Sequence, residues 1–244
     1  MTSTSPTSSS RASTVRRVLT TREGGVSRGP YASFNLGDHV GDDPAAVAAN
    51  RARLVEATGV DAVVWMEQTH GANVRIVDGP RAGPVPDCDG LVTATPGLGV
   101  AVLTADCVPV LLADPRAGVV GAVHAGRRGA AAGIATAAVA AMEGLGAARE
   151  RIEVLLGPAI CGRCYEVPAA MRDEVEAALP GSACTTRDGT PGIDLHAGLR
   201  TQLAAAGIGA VATDTRCTRE DPALYSYRRD PVTGRLAGLI WVGR

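Results

Sequence analysis

Three short motifs of the sequence place metal-binding side chains where an apolar run ends or begins. They contain His70, in Gln-Thr-His-Gly, Cys107, in Ala-Asp-Cys, and His124, in His-Ala-Gly. Two imidazoles and one thiolate suit zinc, and three protein ligands leave a fourth position open for water or substrate. Taken singly, a cysteine between strands is usually just a small buried apolar side chain. Because side chains at strand ends commonly converge in α/β proteins, the three together predict one metal and catalytic site.

A helix is predicted to begin just after His124. Gly126 precedes it, and Arg127 and Arg128 fall in its first turn. Free backbone N–H groups and the positive end of the helix dipole favour an anion there. The simpler alternative is that both arginines are solvated. Since arginine in a first turn opposes the dipole, two of them favour an anionic ligand.

Other segments carry residues able to line a pocket. His39 lies in a polar, glycine-bearing loop, and Tyr227 precedes Arg228 in Tyr-Ser-Tyr-Arg-Arg-Asp. That segment either stacks on a base and holds an anion, or is an ordinary strand with a charged end. His196, inside a predicted helix, is expected to be a surface or packing residue.

Cys161 and Cys164 form a C-x-x-C pair. Thioredoxin-like redox chemistry or half of a zinc site are its functional interpretations. The sequence has no second C-x-x-C, and the pair follows a strand and a Gly-Pro turn rather than opening a helix. A spare or pocket-lining pair is therefore predicted.

Composition excludes several classes of enzyme. All 24 basic residues are arginine, which removes Schiff-base catalysis, the P-loop lysine and the kinase lysine. The four histidines cannot supply the roughly ten that several copper centres need. A net charge of −1 argues against nucleic-acid binding.

The Ser/Thr-rich residues 1–16 have no apolar run of a signal peptide and are predicted to be a disordered tail. One domain is expected over 17–244. No stretch reaches the roughly 18 apolar residues of a membrane span, so we expect a soluble, cytoplasmic protein.

The pattern of apolar residues predicts more strands than helices, and the strands come in runs. Such runs favour a single layered α/β (α+β) domain with mixed sheets over a doubly wound fold. The helices are expected after an Asp42 or Asp43 cap to Gly59, and at 129–142, 168–179 and 195–206. The strands are expected at 15–21, 62–67, 74–77, 91–94, 100–105, 108–113, 119–124, 152–156, 211–213 and 236–242.

The sequence resembles the YfiH-like or laccase-domain proteins, formerly labelled polyphenol oxidases and treated more recently as zinc-dependent purine nucleoside phosphorylases. The resemblance covers about residues 17–243. It rests on ordered matches at 20–27, 33–36, 39–42, 50–51, 68–71, 89–93, 104–109, 124–126, 157–160, 165–167 and 225–230.

The resemblance implies a four-layer α/β/β/α fold and metal ligands at His70, Cys107 and His124. It also implies phosphorolysis of adenosine, inosine, guanosine and methylthioadenosine, and hydrolytic deamination of adenosine. One departure is that Arg127 stands where the family usually has tryptophan. We expect nucleosides and phosphate to bind at Arg22, Asn35, His39, Arg128, Tyr227 and Arg228.

Two rival functions remain open from the sequence. A copper-dependent polyphenol oxidase would place one copper on the three ligands, although four histidines cannot build a multicopper cluster. A cysteine hydrolase in peptidoglycan editing would use Cys107 as nucleophile and His124 as base. Metal content separates them, because zinc favours phosphorolysis, copper the oxidase and no metal the hydrolase.

Overall fold

A computed structural model of the chain describes residues 13–244, and every element below lies within them. The strands are β1 Val15–Leu19, β2 Ala62–Val64, β3 Val74–Ile76, β4 Gly90–Thr93, β5 Leu98–Thr104, β6 Val108–Asp114, β7 Val119–Ala125, β8 Glu153–Leu156, β9 Ala183–Thr185, β10 Pro191–Ile193, β11 Ala210–Thr213 and β12 Leu236–Val242. The helices are α1 Pro44–Thr58, α2 Arg127–Ala131, α3 Ile134–Gly144, α4 Ala169–Ala178 and α5 Leu195–Ala205.

Two mixed sheets lie face to face. One has the order β1-β12-β5-β2 and the other the order β11-β8-β6-β7-β4-β3. The central strands β5, β6, β7 and β12 are buried along their whole length, which their continuous apolar runs predict. Between the sheets, Val102 and Ile240 from one pack with Leu111 and Val120 from the other.

Helices cover the outer face of each sheet. Leu54 of α1 packs with Leu103 and Trp241 on the smaller sheet. On the larger sheet, Val110 and Leu112 belong to one buried apolar cluster with side chains of α3, α4 and α5. Each fully buried leucine contributes roughly 1.5–3 kcal/mol of hydrophobic free energy. The predicted single-domain α/β fold with mixed sheets is confirmed, and its layers run α/β/β/α.

The ends of α1 follow the local chemistry of the sequence. The carboxylate of Asp43 accepts a hydrogen bond from the Ala45 N–H at 2.9 Å, and Pro44 occupies the first turn. Gly59 ends the helix with φ +65°, a left-handed conformation that glycine adopts without strain. Both predicted ends of this helix are confirmed.

Two local predictions are corrected by the structure. The helix expected over 129–142 is divided into α2 and α3, because the backbone turns at Gly133 with φ +82°. The short antiparallel hairpin of β9 and β10 was not expected, since three-residue strands leave too little pattern to detect.

The predicted tail 1–16 falls mainly outside the described residues. Its last two members, Val15 and Arg16, belong to β1, so this strand begins before the expected domain start at 17. Among residues 13–244, no helix is long and apolar enough to cross a membrane.

Candidate metal centre and active-site cavity

His70, Cys107 and His124 come together from three separate segments. His124 is the penultimate residue of β7, Cys107 lies in the turn between β5 and β6, and His70 follows β2 in a loop. One ligand atom from each lies within 4.8 Å of the other two. The two imidazole rings are 4.6 Å apart between centroids and nearly perpendicular, at 82°. His124 is only 2% exposed whereas His70 is exposed, so the cluster opens to solvent on the His70 side.

A buried carboxylate, Asp89, fixes both histidines. Its Oδ1 lies 2.8 Å from Nδ1 of His124. The same carboxylate accepts backbone N–H bonds from Thr69, His70 and Gly71, at 3.1, 2.9 and 2.7 Å. These bonds hold His70 in a left-handed backbone conformation, with φ +60°, that a non-glycine residue seldom adopts.

The hydrogen bond to Asp89 determines which nitrogen of His124 can bind a metal. An ionised carboxylate only accepts hydrogen bonds, so Nδ1 carries the proton. Nε2 is then the nitrogen left to lose its proton and bind a metal, which is the arrangement of a metal-binding histidine oriented by a carboxylate.

Cys107, His124 and Asp89 shift one another's pKa. Burial would raise the pKa of the Cys107 thiol, but the positive charge of His124 and hydrogen bonds from His124 and His70 outweigh it and lower the pKa to about 6. Burial would also raise the pKa of Asp89, but the His124 bond and the backbone N–H bonds lower it to about 2. The structure therefore favours a thiolate at Cys107, the form that binds a metal.

The space beside the three candidate ligands fits a metal ion. Gly126 borders the cluster, and a Cβ at this position would lie 3.0 Å from Cδ2 of His70 and 3.1 Å from Sγ of Cys107. The glycine therefore lets the backbone approach the ligands closely. Two imidazoles, a thiolate and an orienting carboxylate together match the donor chemistry of a catalytic zinc site.

The cluster forms part of the wall of a cavity of about 310 Å³. This volume falls at the lower end of the roughly 300–1,000 Å³ typical of small-molecule sites. The lining side chains are His39, Gln68, His70, Leu103, Thr104, Ala105, Asp106, Cys107, His124, Arg127, Ile160, Tyr165, Leu195, Tyr227, Arg228 and Arg235.

Three arginines line this cavity. Arg127 begins α2, and Arg228 places its guanidinium 5.0 Å from the ring centre of Tyr165. Arg235 is partly buried, and burial lowers its pKa. The one acidic side chain among the described residues of the lining, Asp106, accepts hydrogen bonds from the Thr218 hydroxyl and the backbone N–H of Arg228, each at 2.6 Å. Because that carboxylate is occupied by its own donors, the cavity suits an anion.

The structure places three of the predicted substrate residues, His39, Tyr227 and Arg228, on the cavity wall. Arg128 is exposed and lies outside the lining, and its neighbour Arg127 lines the cavity instead. The cavity is thus lined by Arg127, the residue that stands where YfiH-like proteins usually have tryptophan.

The other two predicted residues, Arg22 and Asn35, also lie outside the cavity lining. The guanidinium of Arg22 donates to the Ala32 carbonyl at 2.8 Å and lies 4.9 Å from the ring centre of Tyr225. Asn35 is buried, and its side-chain oxygen accepts the backbone N–H of Arg235 at 2.8 Å. Asn35 thus supports a cavity residue rather than lining the cavity itself.

Comparison with known proteins decides the family. A profile of the family described as "Multi-copper polyphenol oxidoreductase laccase" matches residues 16–243. The chain belongs to this family. A purine nucleoside phosphorylase of Mycobacterium tuberculosis is 61% identical over 230 residues, covering 93% of this chain and 92% of the relative. Another, from Corynebacterium glutamicum, is 55% identical over 232 residues, covering 93% and 94%.

Solved structures of family members have the same fold. YlmD from Geobacillus stearothermophilus matches with a TM-score of 0.89 at 38% identity, covering 94% of this chain and 92% of that one. YfiH from Bacillus licheniformis matches with a TM-score of 0.87 at 33% identity, covering 93% and 92%. The resemblance to YfiH-like proteins is confirmed.

Sequence reasoning missed several residues that organise the site of this family member. Gln68 exchanges two hydrogen bonds with the Leu103 backbone, at 2.9 and 2.8 Å, and so ties the His70 loop to β5. Like Gln68, Asp89 and Tyr165 lie in segments that match the YfiH-like proteins. Those matches indicate that the residues matter but not what each of them does. Arg235 lies in a loop before β12 with no motif, so no signal in the sequence indicates it.

Proposed function

We propose that the chain is a zinc-dependent purine nucleoside phosphorylase. It would convert adenosine, inosine, guanosine or methylthioadenosine and phosphate into the free base and the pentose 1-phosphate. The observation that carries the proposal is a His/Cys/His donor cluster in the wall of a cavity lined by three arginines. The names of the relatives at 61% and 55% identity support it.

The residues that would hold zinc are His70, Cys107 and His124. Bound there, zinc would supply a Lewis acid able to polarise an oxygen atom and to lower the pKa of a water molecule. Asp89 keeps the His124 ring in position, and its bonds to the 69–71 backbone keep His70 in place. Because the folded chain already makes these hydrogen bonds, the candidate ligands would need little rearrangement to bind zinc.

The arginines of the cavity supply the phosphate site. Arg127, Arg228 and Arg235 offer N–H donors to an anion with three or four acceptor oxygens. In phosphorolysis, a phosphate oxygen bonds to C1′ of the ribose while the bond from C1′ to N9 of the purine breaks. The electron pair goes to the purine, which then takes a proton. Arginines that hold phosphate beside C1′ would accelerate this step by orientation.

Aromatic side chains of the cavity offer a surface to the purine. Tyr165 is partly buried beside the cluster, and Tyr227 is 57% exposed at the cavity. Large rings with a polar end suit a heterocycle that carries hydrogen-bonding groups. Tyr227 would lose exposed surface when a nucleoside binds.

We also propose adenosine deamination at the same site. Water would add to C6 of the purine and ammonia would leave, giving inosine. The support is the resemblance to the YfiH-like family, together with a donor set that leaves a coordination position open.

The test is to incubate purified protein with inosine or adenosine, with and without phosphate, and to separate the products by chromatography. We expect hypoxanthine or adenine only when phosphate is present, inosine from adenosine, and loss of all products in Cys107→Ala. Metal analysis of the same sample should give zinc. Turnover of the metal-free Cys107→Ala variant at the wild-type rate would exclude the proposal.

One observation favours a second function. A cysteine hydrolase uses a carboxylate, a base and a nucleophile in sequence, and this arrangement is present as Asp89, His124 and Cys107. A hydrolase of this kind would keep its activity in a chelator and lose it on thiol alkylation. The phosphorylase would lose activity in both treatments, and copper instead of zinc in the sample would point to the polyphenol oxidase.

A further inference from the structure

A second group of metal-binding side chains lies apart from the three ligands described above. The thiol cluster, as we call it, consists of Cys161, Cys164, Cys217 and Glu220. One ligand atom from each lies within 4.8 Å of all the others. All of these cysteines are free thiols, and Cys164 and Cys217 are buried. Three thiols and a carboxylate supply the four donors that a closed tetrahedral zinc site requires.

The cluster is built from two turns of the same spacing. Cys161 and Cys164 form C-x-x-C, and Cys217 and Glu220 form C-x-x-E. In the first turn the carbonyl of Cys161 accepts the N–H groups of the third and fourth residues after it, at 2.9 and 3.0 Å. In the second turn the Cys217 carbonyl does the same, at 3.1 and 2.9 Å. Paired turns with two ligands each are the usual construction of structural zinc sites.

Backbone contacts hold the two turns against each other. Ala159 forms a parallel bridge with Cys217 and accepts the Thr218 N–H at 3.1 Å. The backbone N–H of Cys161 donates to Sγ of Cys217 at 3.4 Å. A hydrogen bond of this kind stabilises negative charge on sulfur, which a thiolate ligand carries.

Arginines surround the cluster and offset its charge. Arg187 donates to Sγ of Cys164 at 2.8 Å and also pairs with the Glu220 carboxylate. Arg219 donates to the Cys164 carbonyl at 3.2 Å. Three thiolates and a carboxylate around a divalent ion carry a net charge of about −2, so nearby guanidinium groups favour occupancy. A carboxylate has lone pairs for both a metal and Arg187.

We propose that the thiol cluster is a second, structural zinc site. Tetrahedral zinc with a zinc–sulfur distance of about 2.3 Å places its sulfurs roughly 3.8 Å apart. The ligand atoms of the thiol cluster lie within 4.8 Å of one another, so small side-chain adjustments would bring them to this spacing. The site joins the 161–165 turn, which ends at the cavity residue Tyr165, to the 217–220 turn. Zinc bound there would fix one wall of the cavity.

The zinc content of variants purified without added chelator distinguishes this site from the His/Cys/His cluster. Wild-type protein is expected to hold about two equivalents of zinc per chain and Cys107→Ala about one. The double variant Cys107→Ala/Cys164→Ala is expected to hold none. Cobalt loaded into Cys107→Ala should show strong thiolate-to-cobalt absorption, which the double variant loses. Neither readout depends on enzyme activity.

Two further variants keep the test interpretable if the double variant fails to fold. Cys107→Ala/Glu220→Gln retains all three cluster thiols and is expected to lose zinc to a chelator at least tenfold faster than Cys107→Ala. Cys107→Ala/Cys184→Ser is the matched control, because Cys184 touches the same turn at the Gly162 carbonyl without belonging to the cluster. It should retain its zinc.

Other results would overturn the proposal. If Cys107→Ala contains no zinc and takes up no cobalt, the cluster is not a metal site. Thiol titration of that sample would then tell whether the three cysteines are free or two of them form a disulfide. Failure of the phosphorolysis assay would leave this result unaffected.

Discussion

Oδ1 of Asp89 lies 2.8 Å from Nδ1 of His124, and both groups are buried. The same carboxylate accepts the backbone N–H of His70 at 2.9 Å. One side chain thus sets the orientation of one candidate ligand and the backbone position of another. Substitution of Asp89 is therefore expected to disturb the His/Cys/His cluster without removing a candidate ligand.

Replacing Asp89 with asparagine should weaken metal binding. The amide is neutral, so the proton on Nδ1 of His124 loses its charged acceptor, and the 69–71 turn loses a buried anion. Loss of such an orienting partner typically costs 10- to 100-fold in metal affinity or activity. Competition with a chromogenic chelator and product formation from inosine measure the two effects. Asp87→Asn is the control, because Asp87 is exposed and contacts Thr69 and Asn73 rather than His124. Equal affinities in both variants would contradict the role of Asp89.

Gly126→Ala should reduce metal affinity while the fold is kept. The backbone of Gly126 has φ −74° and ψ 170°, which any residue adopts, so the effect would come from contact alone. The added Cβ would press on His70 and Cys107 at about 3 Å. Circular dichroism should be unchanged and zinc retention in a chelator should fall at least tenfold. Gly79→Ala adds the same methyl group where nothing lies within 4 Å, and it should behave as wild type.

The strands and the candidate metal ligands could be predicted because each depends on local pattern. Apolar runs indicate β5, β6, β7 and β12, and residue type at a strand end indicates His70, Cys107 and His124. Contacts between residues that are far apart in the sequence leave no such pattern. Asp89 meets His124 across 35 positions, and Cys161 meets Cys217 across 56. The C-x-x-C pair lacked a second C-x-x-C in sequence, and the structure supplies C-x-x-E in its place.

The direction of individual side chains also could not be predicted from the sequence. Arg127 and Arg128 both fall in the first turn of α2, as predicted, yet only Arg127 faces the cavity. Adjacent helical positions point about 100° apart, and the sequence does not state which of them faces inward.

Arg127→Ala should raise KM for phosphate more than it lowers kcat. Removing one charge-assisted hydrogen bond costs about 1.5–3 kcal/mol, which corresponds to tenfold or more in affinity. Steady-state kinetics with phosphate varied at saturating inosine measures the change. Arg128→Ala provides the control, since this neighbouring arginine is exposed and outside the cavity lining. A KM for phosphate that moves equally in both variants would remove Arg127 from the phosphate site.

Asp114 should contribute stability that depends on pH. Its buried carboxylate accepts N–H bonds from Arg116, Ala117 and Ala148, at 3.0, 3.2 and 2.8 Å, and pairs with Arg151 at 2.8 Å. Burial raises its pKa, but the Arg151 bond and the backbone bonds outweigh burial and leave the pKa below its usual range. A carboxyl whose pKa is lower in the folded state stabilises the fold above the unfolded pKa of roughly 3.9. That contribution disappears as pH falls through the folded pKa.

Asp114→Asn should therefore reduce the free energy of unfolding by about 1–3 kcal/mol at pH 7. The difference from wild type should shrink below about pH 4, because protonation removes the same charge from wild type. Urea unfolding at a series of pH values measures both quantities. Glu153→Gln serves as control, since its pair with Arg17 is half exposed and such pairs contribute at most about 1 kcal/mol. A difference for Asp114→Asn that stays constant from pH 7 to pH 3 would show that hydrogen-bond geometry, not charge, makes the contribution.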